Sequence, residues 1–162
     1  MENLEKKIIP FQSLQNLSKK LKKEKNKIIT TNGCFDILHL GHIQYLIQAR
    51  RMGDVLIVGV NSDNSVKKIK GNNRPLQSEK VRALQLAGLE SVNYISIFDE
   101  DTPLEFIKNL EPYTHVKGSD YANKDIPEKR LVESLGGKMA FVEYLPGFST
   151  TEIIKRIQSG AI

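Results

Sequence analysis

The 162-residue sequence contains a single cysteine, Cys34, and no run of 18 consecutive apolar residues. One cysteine excludes an intrachain disulfide, and the missing apolar run predicts that no helix spans a membrane. The first residues, MENLEKKIIPFQSLQNLSKKLKKEKNK, lack the apolar h-region of a secretory signal peptide. A chain of this length can bury a sufficient core without a disulfide or a metal. We therefore expect one soluble domain over residues 1–162, located in the cytoplasm and not attached to a membrane.

Several motifs for phosphate and ester chemistry are also missing. The sequence has no Walker A motif, no Gly-x-Gly-x-x-Gly fingerprint and no Gly-x-Ser-x-Gly elbow. P-loop nucleotide binding, Rossmann dinucleotide binding and serine-hydrolase chemistry therefore lose support. Only three histidines are present, and the one His-x-x-His pair has no second clustered pair of ligands. Because zinc sites need three or four protein ligands, we expect no metal held by the protein.

Positive charge is concentrated near the start of the chain. The net charge is +5, and six lysines lie between residues 19 and 27. Such a run either binds nucleic acid or forms the solvated face of a helix. No aromatic residues interleave with these lysines, and leucines at positions 14, 17 and 21 can pack beneath them. We therefore predict a leading helix within residues 1–26 that packs on the domain, and no nucleic-acid partner.

The rest of the chain alternates between apolar and amphipathic segments. This pattern predicts strands at 27–32, 54–61, 92–98, 114–118 and 138–145. It predicts helices at 43–53, 77–89, 102–112, 127–137 and 149–158, with Ser78, Thr102 and Ser149 or Thr150 as caps. The polar stretch at 67–77 is predicted to be a loop. We therefore expect a Rossmann-like, doubly wound α/β fold, in which a mostly parallel five-stranded sheet carries helices on both faces.

The segment TNGCFDILHLGH, residues 31–42, lies between the first strand and the next helix. In parallel sheets, ligands bind at the carboxyl ends of the strands, so this turn is a candidate site. Gly41 stands near a helix start, where free N–H groups favour an anion, and His39 and His42 can donate to phosphate oxygens. From spacing alone, a pair of structural histidines remains the alternative. Cys34 is interpreted as a packing residue.

This segment resembles the His-x-Gly-His motif of a nucleotidyltransferase superfamily that includes cytidylyltransferases and adenylyltransferases. The positions in register are Gly33, Phe35, Asp36, His39, Gly41 and His42. A second segment, GFSTTEII at 147–154, resembles the Ser-Thr-Thr stretch that opens the last helix of these enzymes. The finer resemblance is to D-glycero-β-D-manno-heptose 1-phosphate adenylyltransferases and covers nearly the whole chain. It rests on TNGCFDILHLGH, VGVNSDNSVKKIKGNNRP, FDEDTPLEFI, VKGSDY and LPGFSTTEII.

The resemblance implies transfer of AMP from ATP to a sugar 1-phosphate, which gives ADP-heptose and pyrophosphate, with Mg²⁺ carried by the ATP. By resemblance, the catalytic residues would be His39, His42 and Lys70, with the histidines as hydrogen-bond donors to the phosphates. The nucleotide would be bound by Asn32, Gly33, Phe35, Asp36, Gly41, Ser149, Thr150 and Thr151. The substrates would also be bound by Asp63, Arg74, Lys117 and Asp120, and the division of these residues between nucleoside and acceptor stays open. Asp36 either orients the turn or contacts a metal-bound water, and both roles stay open.

The resemblance also leaves alternatives for individual residues. The Ser-Thr-Thr segment can act as a plain helix cap, and Lys70 and Arg74 can be solvated charges of a polar loop. His115 falls inside a predicted strand and is interpreted as structural. Family members are often oligomers, so a homodimer or higher assembly is expected. The kinase half that is often fused to these transferases is absent from the sequence, which implies a separate heptose kinase in a pathway to surface glycans such as lipopolysaccharide.

Two alternatives concern the activity itself. The first is a cytidylyltransferase that acts on a polyol phosphate such as glycerol 3-phosphate. Glycerol- and choline-phosphate cytidylyltransferases place an Arg-Thr-x-Gly-Ile stretch before Ser-Thr-Thr, whereas this chain has YLPGFSTT without an arginine. The missing charge disfavours that acceptor class. The second alternative is a nucleotide-binding protein without turnover, which the intact histidine pair disfavours.

Overall fold

The computed structural model describes residues 1–143 and 145–160. Its centre is a five-stranded sheet in which all neighbouring strands run parallel. The strands are β1 (Ile28–Gly33), β2 (Val55–Asn61), β3 (Tyr94–Phe98), β4 (Thr114–Gly118) and β5 (Lys138–Val142), in the order 3-2-1-4-5. The predicted Rossmann-like α/β sheet is confirmed, and it is fully parallel.

Helices connect the strands and cover both faces of the sheet. They are α1 (Glu2–Glu5), α2 (Leu14–Lys23), α3 (Leu40–Arg50), α4 (Asp63–Lys70), α5 (Glu79–Ala87), α6 (Leu104–Leu110), α7 (Pro127–Ser134) and α8 (Thr150–Gln158). Because side chains alternate along a strand, Ile29 joins an apolar layer with Leu46 and Leu86, while Ile28 joins a second layer with Phe106. None of the described helices has the length and apolar character needed to cross a membrane.

The leading segment holds two helices rather than the one predicted. Pro10 cannot continue a helix, because it has no backbone N–H group. The residues before it run beside the edge of β3, where Ile95 N donates to Lys7 O at 2.8 Å. The Lys7 ammonium group also donates to the carbonyls of Ala87, which ends α5, and Val92, which lies just before β3, both at 2.9 Å. The segment therefore covers an otherwise open sheet edge.

Some predicted boundaries were wrong for identifiable reasons. Helix α4 occupies part of the expected loop at 67–77, because Ser62 caps it and accepts from Ser65 N at 3.0 Å. The N-cap of α6 is Pro103 rather than Thr102. Helix α3 begins three residues earlier than predicted. The last strand ends at Val142, and residue 144 of the strand predicted at 138–145 lies outside the described residues.

Strands β1 and β4 part toward their carboxyl ends. β1 pairs with β2 at six positions but with β4 at only two, Ile29 and Thr30. Beyond that point a side chain bridges the gap, because Lys117 Nζ donates to Asn32 Oδ1 at 2.8 Å. The chain also reverses its direction of winding at β1. This fork is therefore the topological switch point, where parallel sheets bind their ligands.

Candidate active site

A cavity of about 750 Å³ lies at the fork. Its walls come from the carboxyl ends of the central strands, the starts of α3 and α8, and the end of α4. Most residues to which the resemblance assigned a role line it: Asn32, Gly33, Phe35, Asp36, His39, Gly41, His42, Lys70, Arg74, Lys117, Ser149, Thr150 and Thr151. Two motifs that are far apart in the sequence therefore meet across one space.

The two motif histidines form a stacked pair at the start of α3. His39 is the N-cap, and its Nδ1 accepts from His42 N at 3.3 Å. Because Nδ1 accepts, the neutral ring carries its proton on Nε2 and keeps that N–H as a donor. The two ring centroids lie 3.8 Å apart. Gly41 permits this packing, because a Cβ atom there would lie 3.1 Å from both the His39 ring and the Phe148 carbonyl oxygen.

Both histidines are held in the neutral form near pH 7. Burial lowers the pKa of His39 below its usual value. Burial, and then repulsion by His39, lower the pKa of His42 to about 4, although the Ile37 backbone partly opposes this. The free protein therefore lines the cavity with two neutral rings, and a bound polyanion would favour protonation of one of them.

Asp36 fixes the segment that follows α4. Its carboxylate is 1% exposed and accepts from the backbone N–H groups of Leu76 and Gln77 at 2.8 and 3.0 Å, and from Arg74 Nε at 2.5 Å. Burial acts to raise the pKa of Asp36, but these three hydrogen bonds outweigh it and the pKa is lowered. With both carboxylate oxygens engaged, the geometry favours the orienting role over contact with a metal-bound water.

Arg82 joins three segments around the cavity, and sequence reasoning missed it. The side chain is fully buried, and its guanidinium donates to Cys34 O at 2.6 Å, Gln77 O at 3.0 Å and Asp63 Oδ1 at 2.8 Å. An arginine on an amphipathic helix is usually a solvated charge, so the sequence pattern of this helix did not indicate that Arg82 is buried. Asp63 does not line the cavity, because it opens α4 and its carboxylate turns to Arg82.

Two further candidates have plain structural settings. Asp120 is exposed in a short 3-10 turn over Ser119–Tyr121 and does not line the cavity, so the structure does not bring it together with the other predicted substrate-binding residues. Cys34 does line the cavity, but burial raises the pKa of its thiol, against the opposing charges of nearby cations such as Lys70. A raised pKa disfavours the thiolate, which agrees with the packing interpretation.

A buried ion pair stands on the other wall of the fork. Lys117 Nζ lies 3.3 Å from Glu128 Oε1, and both side chains are 10% exposed. The same ammonium group lies 5.3 Å from the centroid of the Tyr121 ring. Burial lowers the pKa of Lys117, although Glu128 opposes the change. Sequence reasoning missed Glu128. An acidic residue in the first turn of a helix such as α7 is common, because its charge interacts favourably with the helix dipole, so it does not by itself indicate a site.

The start of α8 is both a cap and a part of the cavity wall. Ser149 is the N-cap, and its hydroxyl oxygen accepts from Glu152 N at 3.1 Å. Thr150 and Thr151 form the first turn, where backbone N–H groups are free to bind an anion. Within residues 1–143 and 145–160, no group of three or more His, Cys, Asp or Glu side chains is placed to hold a metal ion. His115 is buried beside Thr30 Oγ1 at 2.8 Å, away from the cavity lining.

Comparison with known proteins gives a family match over most of the chain. Residues 30–156 match the family model described as cytidylyltransferase-like. The chain is 49% identical over 148 residues to the bifunctional protein HldE of Aliarcobacter butzleri, which covers 91% of this chain and 30% of that protein. It is 48% identical to the HldE of Helicobacter hepaticus, over 98% of this chain and 32% of that protein. The chain thus spans about a third of the length of these curated relatives.

Solved structures with the same fold agree with this match. A lipopolysaccharide core biosynthesis protein from Thermoplasma volcanium superposes with a TM-score of 0.60 at 27% identity, over 74% of this chain and 97% of that one. A pantoate-beta-alanine ligase from Francisella tularensis superposes with a TM-score of 0.59 at 16% identity, over 96% of this chain and 78% of that one. The second likeness concerns the fold alone.

Proposed function

Because the chain belongs to the cytidylyltransferase-like family, we propose that it is an adenylyltransferase that moves AMP from ATP to a sugar 1-phosphate. The proposed acceptor is D-glycero-D-manno-heptose 1-phosphate, and the products are ADP-heptose and pyrophosphate. The observation that carries the proposal is the meeting of the His39–His42 turn and the start of α8 in one cavity. Identity of nearly half to HldE proteins over nine-tenths of the chain supports the choice of acceptor.

In the proposed reaction, an oxygen of the acceptor phosphate attacks the α-phosphorus of ATP in line. A bond forms between that oxygen and the α-phosphorus, and the bond from the α-phosphorus to the leaving pyrophosphate breaks. The protein positions the reactants and stabilises the developing charge, without a covalent intermediate. The N–H donors of His39 and His42 would face the α- and β-phosphates, and the first turn of α8 would hold the outer phosphates.

The cations of the cavity complete this proposal. Lys70 lies at the end of α4 and lines the cavity, where its ammonium group can reach negative charge on the pyrophosphate. Arg74 also lines the cavity, but its Nε is engaged by Asp36, so only the remaining guanidinium N–H groups are available to a phosphate. Mg²⁺ would enter with the ATP, because its oxygen ligands can come from the triphosphate and water. Lys70 would therefore be the freer of the two cations for catalysis.

The wider setting is proposed on the same basis. We infer a cytoplasmic enzyme whose acceptor is supplied by a heptose kinase of the same pathway, on the basis of the family resemblance. Assembly as a homodimer or higher oligomer is proposed from the family resemblance.

Pyrophosphate release in a coupled assay tests the function. The purified protein would be mixed with Mg²⁺, with either ATP or CTP, and with a panel of sugar 1-phosphates and polyol phosphates. Rapid release of pyrophosphate with the combination of ATP and heptose 1-phosphate, and with no other combination, supports the proposal. Release only with CTP and a polyol phosphate would support the cytidylyltransferase alternative.

A matched pair of variants separates catalysis from binding. His39→Ala removes a proposed donor, whereas Lys27→Ala removes a charge far from the cavity, over the Tyr113 ring. Loss of one such donor costs about 2.7–4 kcal/mol, so kcat should fall roughly 10²- to 10³-fold in His39→Ala only. ATP binding without turnover, unchanged by His39→Ala, would support the non-enzymatic alternative.

A further inference from the structure

Glu128 is a buried carboxylate in the wall of the cavity, and neither the resemblance nor the proposed reaction gives it a role. The residue is 8% exposed and lines the cavity near the fork. In the part of the chain that the structure describes, the one side chain that pairs with it is Lys117, which lies 3.3 Å from Oε1. The second carboxylate oxygen is therefore left to accept hydrogen bonds from whatever fills the cavity.

The pairing also redefines what Lys117 can do. Its ammonium group has three N–H bonds, one donated to Asn32 Oδ1 and one directed to Glu128. The positive charge is thus largely balanced inside the protein, and the adjacent carboxylate repels phosphate. Because the charge of Lys117 is balanced and the carboxylate repels phosphate, this part of the cavity is suited to the uncharged portion of a substrate. Buried ion pairs also add little net stability compared with apolar side chains of similar size, so the pair is not explained by stability alone.

A carboxylate that can only accept hydrogen bonds selects groups that donate them. Two neighbouring hydroxyl groups of a sugar fit this requirement, because a planar carboxylate can accept from both. The Tyr121 ring lines the same wall beside Lys117 and offers an apolar surface to the carbon atoms of such a sugar.

We propose that Glu128 is a specificity-determining residue that accepts hydrogen bonds from neighbouring sugar hydroxyls, with Lys117 as the residue that positions it. The proposal rests on the proposed function, since it assumes that a sugar-bearing substrate enters this cavity. The hydroxyls belong either to the ribose of the nucleotide or to the acceptor sugar. Both present the same chemistry to Glu128, and the experiment below separates them.

The test uses Glu128→Gln, with Glu133→Gln as the matched control, because Glu133 lies on the same helix and is exposed. Steady-state kinetics would give KM and kcat with ATP, with 2′-deoxy-ATP, with 3′-deoxy-ATP and with the sugar phosphate. For Glu128→Gln we expect KM for the recognised sugar to rise about 10- to 100-fold, the effect of losing a hydrogen bond to a charged group, with a smaller change in kcat.

The pattern of these changes identifies the sugar. If the ribose is recognised, the wild-type preference for ATP over a deoxy analogue should shrink toward unity in Glu128→Gln. If the acceptor is recognised, the KM for sugar phosphate should rise while that for ATP stays constant. A purely structural role would lower the melting temperature without altering discrimination between hydroxyl and deoxy ligands, and that result would overturn the inference. Glu128→Asp, which keeps the charge, should give an intermediate effect and serves if the Gln variant does not fold.

Equilibrium binding separates this inference from the proposed function. Calorimetric titration of wild type and Glu128→Gln with ATP, its deoxy analogues and the sugar phosphate needs no turnover. A wild type that binds these ligands but releases no pyrophosphate would refute the function and leave the Glu128 comparison intact. Equal affinities in the two proteins would refute the role of Glu128 alone. A wild type that binds none of the ligands would overturn both.

Discussion

Acidification should destabilise this protein through His42, and the structure gives the size of the effect. Burial and the neighbouring His39 ring lower the pKa of His42 to about 4, from an ordinary value of 6.5. A group whose pKa is lower in the folded state than in the unfolded state binds its proton more readily when unfolded. The free energy of unfolding therefore falls as pH drops below about 6.5, and this loss levels off below about 4.

The expected magnitude follows from the same pKa values. Each pKa unit is worth about 1.36 kcal/mol, so the complete effect is about 3.4 kcal/mol, and about 2 kcal/mol of it should be lost by pH 5. Urea denaturation at pH 7 and pH 5 measures this loss directly. In His42→Gln the loss over the same interval should be about 2 kcal/mol smaller, because glutamine does not titrate. The reasoning would be refuted if both proteins lost the same free energy between these pH values.

Three further predictions concern the architecture of the site and its support. Gly41→Ala should lower kcat in the pyrophosphate assay at least 10-fold with little change in melting temperature, because the new methyl group presses on the His39 ring; unchanged kcat would contradict this. Arg82→Met should reduce the free energy of unfolding by about 3 kcal/mol in urea, because it strands the Asp63 carboxylate and two carbonyls, whereas Arg82→Lys should lose less. Lys7→Met should cost about 1–3 kcal/mol by the same measurement and leave pyrophosphate release intact, since its partners Ala87 and Val92 do not line the cavity. A loss of activity at full stability would contradict this prediction.

The sheet and the meeting of the two motifs could be predicted because they follow from local patterns. The alternation of apolar segments with amphipathic ones indicated the strands, and only 54–61 was a continuous apolar run. Parallel order then brings the residues after those strands to one edge. His39 and His42 lie at the start of the helix that follows β1, and Ser149 caps the last helix, so their placement required no knowledge of distant contacts. Errors of a few residues in the predicted helix starts did not affect the predicted site, because both motifs stay at the same edge of the sheet when a helix boundary moves that far.

The residues that the sequence did not reveal depend on contacts between distant segments. Arg82 and Glu128 lie on helices whose charged residues are mostly solvated, and only the packed fold shows that these two face inward. Asp63 illustrates the opposite error, because a residue just after a strand need not face the ligand when a new helix begins there. The prediction of a single helix in the leading segment was wrong for a similar reason, because the pairing of Ile8 with Ile95 of β3 depends on a partner far along the chain.

The fork between β1 and β4 means that the ligand cleft is pre-organised. The two strands share only two paired positions, and beyond them side-chain hydrogen bonds from Lys117 and Tyr45 take over from backbone pairing. Parting strands that were paired along their whole length would break backbone hydrogen bonds, each worth about 0.5–1.5 kcal/mol. Here that separation is complete when the chain has folded. Affinity for a substrate is therefore not reduced by the work of opening the sheet, and the backbone on either side of the cleft can stay in place when the cavity fills.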